Sequence, residues 1–341
     1  MSIQNEIRRI SANISAAYGA VEEMGGGLPG KQNSTNLAAA IQGIATGGSA
    51  GVTNPNLLDN WYFVDPINQR GETTYIGTRY TIDRWHSTSD NLTVALKDDC
   101  INLSTPSNGY FRHDIEHPIK SRVTLSALVR GAGSVYLIAR SIGGPNASKS
   151  FDITDANSWQ LISFSAEPSD YNAEGFDQFI IRIFGNVSID ICAAKLELGD
   201  TQTLAHQENG NWVLNDPPPN SSLELAKCQR YFIRLNQSKS SESGTFSLAP
   251  YYAKYKTLYA TIGLPVSLRA NPTVTMYGNY DIIDTSGGTD VRVPAESVSL
   301  WRKEATGVCL AFKSSSALTA GRVYSFDSGD DGAYIDLSCD L

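Results

Sequence analysis

From residue 54 onwards, the sequence runs in short stretches that alternate apolar and polar residues, and this pattern limits the fold more than any other feature. Gly, Asn, Asp, Ser and Pro bound these stretches. Clear examples are residues 124–129, 134–139, 159–164, 178–184 and 187–191. Such alternation gives a β-strand one apolar and one polar face. The pattern, with no convincing helix among it, predicts a β-sandwich of the jelly-roll type over residues 54–204.

The last part of the chain also reads as a β-domain. A polar stretch, residues 205–221, contains three consecutive prolines at 217–219 and is predicted to be a linker. The domain that follows, residues 222–341, carries strand patterns at 228–235, 258–262, 273–277, 297–301, 309–312 and 322–326. The predicted fold class is therefore mainly β, with two jelly-roll-like sandwiches behind a short N-terminal coiled-coil helix.

The N-terminal segment has a different period, because its apolar residues follow one another in alternating steps of four and three. They are Ile3, Ile7, Ile10, Ile14, Ala17, Val21 and Met24. This spacing is a heptad seam, and isoleucine at both seam positions favours three or four helices over two. The seam predicts the stalk of a homotrimer or an adaptor onto another assembly. An amphipathic helix packed on its own domain is the alternative.

Glycine and proline residues at 25–30 are expected to end this helix. A second short helix is predicted from about residue 35 to 44 by its apolar spacing. A glycine-rich linker follows at 47–51. Residues 1–53 are thus predicted to form a separate segment for trimerisation or attachment.

Charge and hydropathy exclude two classes of partner. The chain has 27 Lys and Arg residues against 35 Asp and Glu residues, a net charge of −8, so it lacks the basic excess that would neutralise nucleic-acid phosphates. No stretch reaches the roughly 18 continuous apolar residues of a membrane span, and charged residues interrupt the first segment where a signal peptide is apolar. We therefore expect neither nucleic-acid binding nor membrane insertion.

The cysteines do not form a recognisable framework. The chain has five, they are widely scattered, and none forms a CxxC pair. This pattern favours neither a disulfide scaffold nor a zinc site. We expect them to be buried small hydrophobic residues.

Catalytic chemistry has little support in the sequence. His113 and His117 would face the same side of a strand and could bind a metal ion, but no third ligand is evident, so a surface loop is expected there. Asp327, Asp330 and Asp331 are interpreted as a solvated turn, because the spacing lacks the closing Glu of a helical calcium loop. No nucleophile or nucleotide-binding motif is present in the required context. We predict that the protein is not an enzyme and has no metal or other cofactor. A carboxylate pair for glycoside hydrolysis stays open, because its separation is spatial.

A sugar-binding site requires aromatic rings for the apolar face of a sugar, and polar groups for its hydroxyls. Trp85 and Trp159 lie in or beside stretches with a strand pattern and are predicted to be buried. Aromatic residues at loops or strand ends in the last domain are harder to explain by packing, so they are the predicted glycan-binding residues. They are Tyr251, Tyr252, Tyr277, Tyr280 and Trp301. Replacing Tyr252 or Tyr280 by Ala is expected to weaken binding with little change in melting temperature.

Several segments resemble proteins of phage tails. The N-terminal segments that resemble tail proteins of phages of Gram-positive bacteria are residues 5–7, 9–11, 16–18 and 32–37. The segments similar to the carbohydrate-binding-like sandwich of many tail fibres are residues 56–60, 66–71, 83–85 and 195–199. The segments that resemble the start of the distal domain of such fibres are residues 224–232, 264–266 and 269–275. These short segments are spread along the chain from residue 5 to residue 275.

The resemblance implies a homotrimeric receptor-binding tail protein of a phage or phage-like particle. Its partners would be a bacterial surface glycan, its own copies, and other tail or baseplate proteins contacted by the N-terminal segment. It would be assembled in the host cytoplasm and located in the virion tail, where it would serve host adhesion. Two alternatives are a structural fibre or adaptor without a ligand, and a hydrolase of envelope glycans.

Overall fold

The computed structural model describes residues 3–23, 30–37, 53–141, 144–170, 174–236, 245–246, 250–284, 291–319, 322, 324–328 and 333–340. Contacts between residues divide the chain into two compact units. Unit 1 comprises Met1–Pro66, Thr73–Tyr80 and Trp85–Pro219, and unit 2 comprises Ile67–Glu72, Thr81–Arg84 and Asn220–Leu341. Strands dominate both units, so the prediction of a mainly β protein is confirmed. Unit 2 also takes two short loops from inside the predicted sandwich, which the sequence pattern does not indicate.

The predicted N-terminal helix is present as α1 (Ile3–Glu23). The Tyr18 side chain is buried against Ile14 and Leu37, and its hydroxyl donates a 2.8 Å hydrogen bond to the Asn33 carbonyl oxygen. Residues 34–37 are helical, and the rest of the second predicted helix lies outside the described residues. Half of the Ile10 side chain is exposed. The trimeric coiled coil stays a prediction.

The strands of unit 1 form one hydrogen-bonded network and a separate hairpin. They are β1 (Thr74–Ile76), β2 (Arg79–Tyr80), β3 (Trp85–Ser87), β4 (Thr93–Leu96), β5 (Ile101–Thr105), β6 (Asn108–Ile119), β7 (Val123–Arg140), β8 (Asn146–Ile153), β9 (Gln160–Ala166), β10 (Phe176–Leu198), β11 (Ala205–Glu208) and β12 (Asn211–Leu214). A short 3-10 helix, Pro168–Asp170, follows β9.

Two long strands, β7 and β10, belong to both layers of this network. The first part of β10 pairs with β6 and the second half of β7, and the second part pairs with β5 and the first half of β7. One layer therefore has the order β2-β3-β6-β10-β7-β8, and the other has β1-β4-β5-β10-β7-β9. The strands predicted separately at 124–129 and 134–139 are two halves of β7. In the same way, those predicted at 178–184 and 187–191 are two parts of β10.

The bend in β7 depends on glycine. Gly131 and Gly133 have φ angles of +144° and +138°, which residues with side chains rarely adopt. A Cβ atom on Gly131 would lie 2.8 Å from the Ser188 carbonyl oxygen, so the strands could not approach as closely. The pairing register between β7 and β10 shifts at the same level, between Phe184 and Ser188. The strand pair can therefore pass from one layer into the other.

Aromatic rings fill the core between the layers. Trp85 is fully buried, as predicted, and its ring stacks on Phe111 at a centroid distance of 4.7 Å. Phe63 and Phe179 meet the same indole edge to face, at 5.0 and 6.0 Å. Trp159 differs from the prediction, because it is partly exposed below the Arg130 guanidinium, 4.4 Å from the ring centroid. The prediction that the cysteines are buried is confirmed for all five.

The stretch predicted as a linker, residues 205–221, contains regular structure. β11 and β12 form an antiparallel hairpin in its first half. The fully buried Lys195 ammonium of β10 donates a 2.5 Å hydrogen bond to the Asp216 carboxylate. Asp216 is therefore held by the sandwich, and the prolines that follow have no regular structure.

The C-terminal part of unit 2 begins with a helix, α2 (Ser221–Gln229). Its last two residues fall within the strand that the sequence predicted at 228–235. The Asn220 side chain caps the helix by accepting hydrogen bonds from the Ser222 and Leu223 amides. The strands that follow are β13 (Phe232–Asn236), β14 (Thr245–Phe246), β15 (Pro250–Lys254), β16 (Thr257–Gly263), β17 (Thr273–Tyr277), β18 (Tyr280–Asp284), β19 (Val291–Glu304), β20 (Gly307–Ser314), β21 (Tyr324–Ser328) and β22 (Tyr334–Ser338). They form a three-stranded sheet, β13-β22-β17, and a seven-stranded sheet, β14-β21-β18-β19-β20-β16-β15.

A buried ionic cluster holds Asp340, which follows β22, inside unit 2. Arg70 forms ion pairs with Asp83 at 3.0 Å and with Asp340 at 2.5 Å, and its guanidinium lies 3.8 Å above the Phe232 ring. Gln69 adds a backbone and a side-chain hydrogen bond to Asp83. Burial raises the pKa of Asp83 to about 6, against the opposing effect of Arg70, and burial also raises the pKa of Asp340.

Among the described helices, none is long and apolar enough to span a membrane.

Candidate functional site

The outer surface of the β6-β10-β7 sheet carries exposed aromatic side chains. Along β10, the alternation directs Phe179, Ile181 and Ile183 into the core, where they are fully buried. Arg182 and Phe184 therefore point outward, and half of the Phe184 side chain is exposed. We call the surface formed by Tyr110, Tyr136, Arg182 and Phe184 the aromatic face.

Strand register brings these side chains together from three strands. Arg182 of β10 is directly opposite Tyr110 of β6 on one side and Tyr136 of β7 on the other. Its guanidinium carbon lies 5.3 Å from the Tyr110 ring centroid, 5.0 Å from that of Tyr136 and 5.1 Å from that of Phe184. These distances lie within the range of cation–π attraction, about 6 Å. The cation thus holds three rings around a common centre.

Hydrogen bonding orients Arg182 further. Its Nε atom donates a 2.7 Å hydrogen bond to Oδ1 of Asn108, at the start of β6. Among the residues that the structure describes, no carboxylate lies within ion-pair distance of this guanidinium. The partly buried cation is therefore balanced by ring electrons and an amide oxygen.

A row formed by Tyr80, His86 and Arg112 lies next to the aromatic face on the same surface. Tyr80 stacks on His86 at a centroid distance of 4.6 Å. Nη2 of Arg112 lies 3.2 Å from Nδ1 of His86, and the Arg112 guanidinium also forms an ion pair with Asp114. Because a guanidinium only donates, Nδ1 of His86 accepts, and the neutral ring carries its proton on Nε2. This row adds further rings and hydrogen-bonding groups to the surface.

Strand β8 extends the surface with small polar side chains. By register, Ser150 is opposite Tyr136, and Asp152 is opposite Ser134. The Ser134 hydroxyl donates a 3.0 Å hydrogen bond to Asp152. Ser148 and Ser150 are exposed. The rings at the centre can contact the apolar C–H groups of a pyranose. The hydroxyl, amide and carboxylate groups around them can form hydrogen bonds with its hydroxyls.

The residues predicted from the sequence lie in unit 2, and the structure separates them into three groups. Tyr277 and Trp301 are exposed over 45% and 51% of their surfaces. Tyr277 stacks on Tyr334 at 4.5 Å, and Trp301 lies 4.7 Å from the Tyr259 ring centroid. The side chains of Tyr251 and Tyr252 lie outside the described residues, although their backbone belongs to β15.

Tyr280 requires a correction. Only 1% of its surface is exposed, because β18 turns its ring into the core of unit 2 beside Ile282 and Leu337. Its position after Gly278 and Asn279 indicated an exposed turn, but the strand begins at Tyr280 itself. A change to Ala would therefore remove a core ring, and the expectation of an unchanged melting temperature does not apply.

The histidine pair also differs from the prediction. His113 and His117 lie in β6 and not in a surface loop. His113 is buried, packs edge to face on Trp85 at 5.2 Å, and accepts a hydrogen bond from the Asp59 amide at Nε2. His117 is exposed. Asp327 belongs to β21, whereas Asp330 and Asp331 lie outside the described residues. Within the described part of the chain, no group of three His, Cys, Asp or Glu side chains is placed to hold a metal ion.

The aromatic face itself was missed by the sequence analysis. One signal was available along residues 178–184, because Arg182 and Phe184 share the face opposite to Ile181 and Ile183. An aromatic residue at a polar position of a strand indicates an exposed ring. Its neighbours Tyr110 and Tyr136 could not be found in this way, since they depend on the pairing of strands that are distant in sequence.

The comparisons with known proteins give structural neighbours only. No protein-family profile matches the chain. No curated protein sequence is significantly similar to it. Carbohydrate-binding modules are prominent among the solved structures that are similar to it.

One such structure is a family 61 carbohydrate-binding module in complex with β-1,4-galactotriose, with 16% identity and a TM-score of 0.31, covering 42% of this chain and 99% of the module. Another is a family 29 carbohydrate-binding module from Piromyces equi, with 12% identity and a TM-score of 0.29, covering 37% of this chain and 91% of the module. A third is an arabinose-bound α-L-arabinofuranosidase, with 16% identity and a TM-score of 0.31. This match covers 44% of the chain but only 27% of the enzyme.

Proposed function

We propose that this protein binds a glycan of the bacterial cell surface through the aromatic face of unit 1. The observation that carries the proposal is the grouping of Tyr110, Tyr136 and Phe184 around Arg182 on an outer sheet surface. Aromatic rings held by a cation keep their orientation without the entropy loss of ordering on binding. A row of rings of this kind suits an extended sugar chain, because successive sugar residues can contact successive rings.

More specifically, we propose that this chain is a receptor-binding tail protein of a phage or phage-like particle. This proposal is supported by the short segments named above, which lie within residues 5–37, 56–85 and 195–275 and resemble such proteins. In this role, α1 would join three copies and contact other tail proteins, and the glycan would be the receptor. The protein would bind its glycan without hydrolysing it. Release of reducing ends from purified bacterial envelope would contradict this part of the proposal.

We expect Tyr110→Ala and Tyr136→Ala each to weaken glycan binding by about 1–3 kcal/mol, or roughly 5- to 150-fold in Kd, because each removes a ring that contacts the sugar. Both side chains are only partly buried, so the melting temperature should change little. The measurement is titration calorimetry with a ligand selected on an array of bacterial surface polysaccharides, with scanning calorimetry of each variant alongside.

Two sets of controls locate the site. Tyr110→Phe and Tyr136→Phe keep the rings and should retain most of the affinity. Tyr277→Ala and Trp301→Ala remove exposed rings of unit 2 and should leave binding unchanged. If the unit 2 variants lose affinity while the Tyr110 and Tyr136 variants bind normally, the receptor site lies in unit 2, as predicted from the sequence.

The oligomeric state tests the role of α1. We expect light scattering to give the mass of a trimer for the full-length chain, and Ile7→Asp with Ile14→Asp to reduce it to a monomer. Burying carboxylates in a dry three-helix seam is unfavourable by more free energy than the packing of about three heptads supplies. A monomeric wild-type chain at micromolar concentration would contradict the stalk.

A further inference from the structure

Arg182 has unused hydrogen-bonding capacity at the centre of the aromatic face. Its Nε atom donates to Asn108. Among the described residues, no oxygen atom accepts a hydrogen bond from its Nη1 or Nη2 atom. These two atoms form the planar fork with which arginine binds a carboxylate through two parallel hydrogen bonds. The fork lies in the row between Tyr110 and Tyr136.

The charges around Arg182 do not explain it as part of an ion pair. Arg112, one row away, is already paired with Asp114. Asp152 of β8 accepts a hydrogen bond from Ser134. Within the described part of unit 1, the central cation of this surface has no counter-ion, although the chain as a whole has a net charge of −8.

We propose that Arg182 selects glycans that contain uronic acids, by binding the sugar carboxylate between the rings of Tyr110 and Tyr136. The inference rests on the proposed function of the aromatic face. The sugar ring would contact one or both tyrosines, and its C6 carboxylate would accept two hydrogen bonds from the guanidinium. A carboxylate matches the planar fork, and it supplies the negative charge that this site lacks.

Matched ligands test the inference directly. Polygalacturonate, polyglucuronate and hyaluronan are each compared with the same polymer after reduction of its carboxyl groups to primary alcohols, which keeps the linkage and the ring. Neutral galactan, glucan and mannan, and poly(glycerol phosphate), complete the panel. We expect the full-length wild-type chain to bind at least one native uronate polymer at least tenfold more tightly than its reduced form. This preference should shrink when salt is raised from about 0.05 to 0.5 M, as the Debye length falls.

Three variants distinguish the effect of the planar guanidinium from the effect of a positive charge alone. Arg182→Met keeps the length of the side chain and should abolish the preference for the native polymer. Arg182→Lys keeps the charge without the planar fork and should restore only part of it. Arg140→Met is the matched control, because it removes an exposed arginine from the same surface of β7, two rows away from Arg182, and should leave the preference intact.

The outcomes distinguish this inference from the proposed function. Equal binding of native and reduced polymers, or binding of neutral polymers alone, overturns the role of Arg182 and leaves glycan binding standing. A preference for poly(glycerol phosphate) over every uronate polymer overturns the assignment to a carboxylate. An unchanged preference in Arg182→Met also overturns it. Absence of binding to the whole panel overturns the inference, and the array experiment with Tyr110→Ala and Tyr136→Ala then decides the proposed function separately.

Discussion

Replacing Arg70 with methionine is expected to lower the free energy of unfolding of unit 2 by about 3–5 kcal/mol. The guanidinium is 8% exposed and is shared by the carboxylates of Asp83 and Asp340, which are also buried. Removing it takes away the cation that both carboxylates share, and buried charge is far more costly than exposed charge. Amide hydrogen exchange of β13 and β22 measures the loss, because Phe232 of β13 lies below the guanidinium and Asp340 follows β22.

The loss should be smaller at pH 5 than at pH 7. Burial already raises the pKa of Asp83 to about 6 in the wild-type fold, and without Arg70 it should rise further. A folded carboxyl with a raised pKa keeps its proton up to that pKa, whereas the same carboxyl in the unfolded chain releases its proton above about pH 4. The free energy of unfolding therefore falls as the pH rises from about 4 through the folded pKa of Asp83, so the loss is larger at pH 7 than at pH 5. Lys313→Met, which breaks an exposed ion pair with Glu296, is the control and should cost less than about 1 kcal/mol. An Arg70→Met variant as stable as this control would show that the cluster does not hold unit 2 together.

Trp85→Ala is expected to destabilise unit 1 by about 3–5 kcal/mol. The indole is fully buried, stacks on Phe111 and meets Phe63 and Phe179 edge to face. Its removal therefore leaves a cavity, because the surrounding rings cannot move far enough to fill it. Its Nε1 atom also donates a 2.9 Å hydrogen bond to the Asn60 carbonyl oxygen, which would lose its donor. Chemical denaturation followed by hydrogen exchange of β6 and β10 measures the effect.

Trp159→Ala is the matched control for this prediction. The same ring is removed, but from a partly exposed position where it contacts the Arg130 guanidinium. The expected cost is about 1 kcal/mol, since little apolar surface is lost from the core. Equal losses in the two variants would mean that the indole of Trp85 does not anchor the core of the sandwich.

Part of the candidate site could be predicted from the sequence. Alternation along residues 178–184 already places Arg182 and Phe184 on the face opposite to Ile181 and Ile183. Alternation does not show which strands lie beside β10, and these neighbours supply Tyr110 and Tyr136. Tyr280 illustrates the same limit, because its glycine–asparagine neighbours indicate a turn, whereas the packing of β18 decides that its ring is buried.

The sequence by itself determined part of the local structure of this protein. Its periodicities determined the N-terminal helix, the dominance of strands and the outward side of β10 at Arg182 and Phe184, because these depend on residues a few positions apart. Only the tertiary structure decided that β7 and β10 pass through both layers, that the loops Ile67–Glu72 and Thr81–Arg84 belong to unit 2, and that an arginine lies among three rings. These features depend on which distant strands pair and in what register. That choice is made by the burial of the whole core, and no local pattern records it.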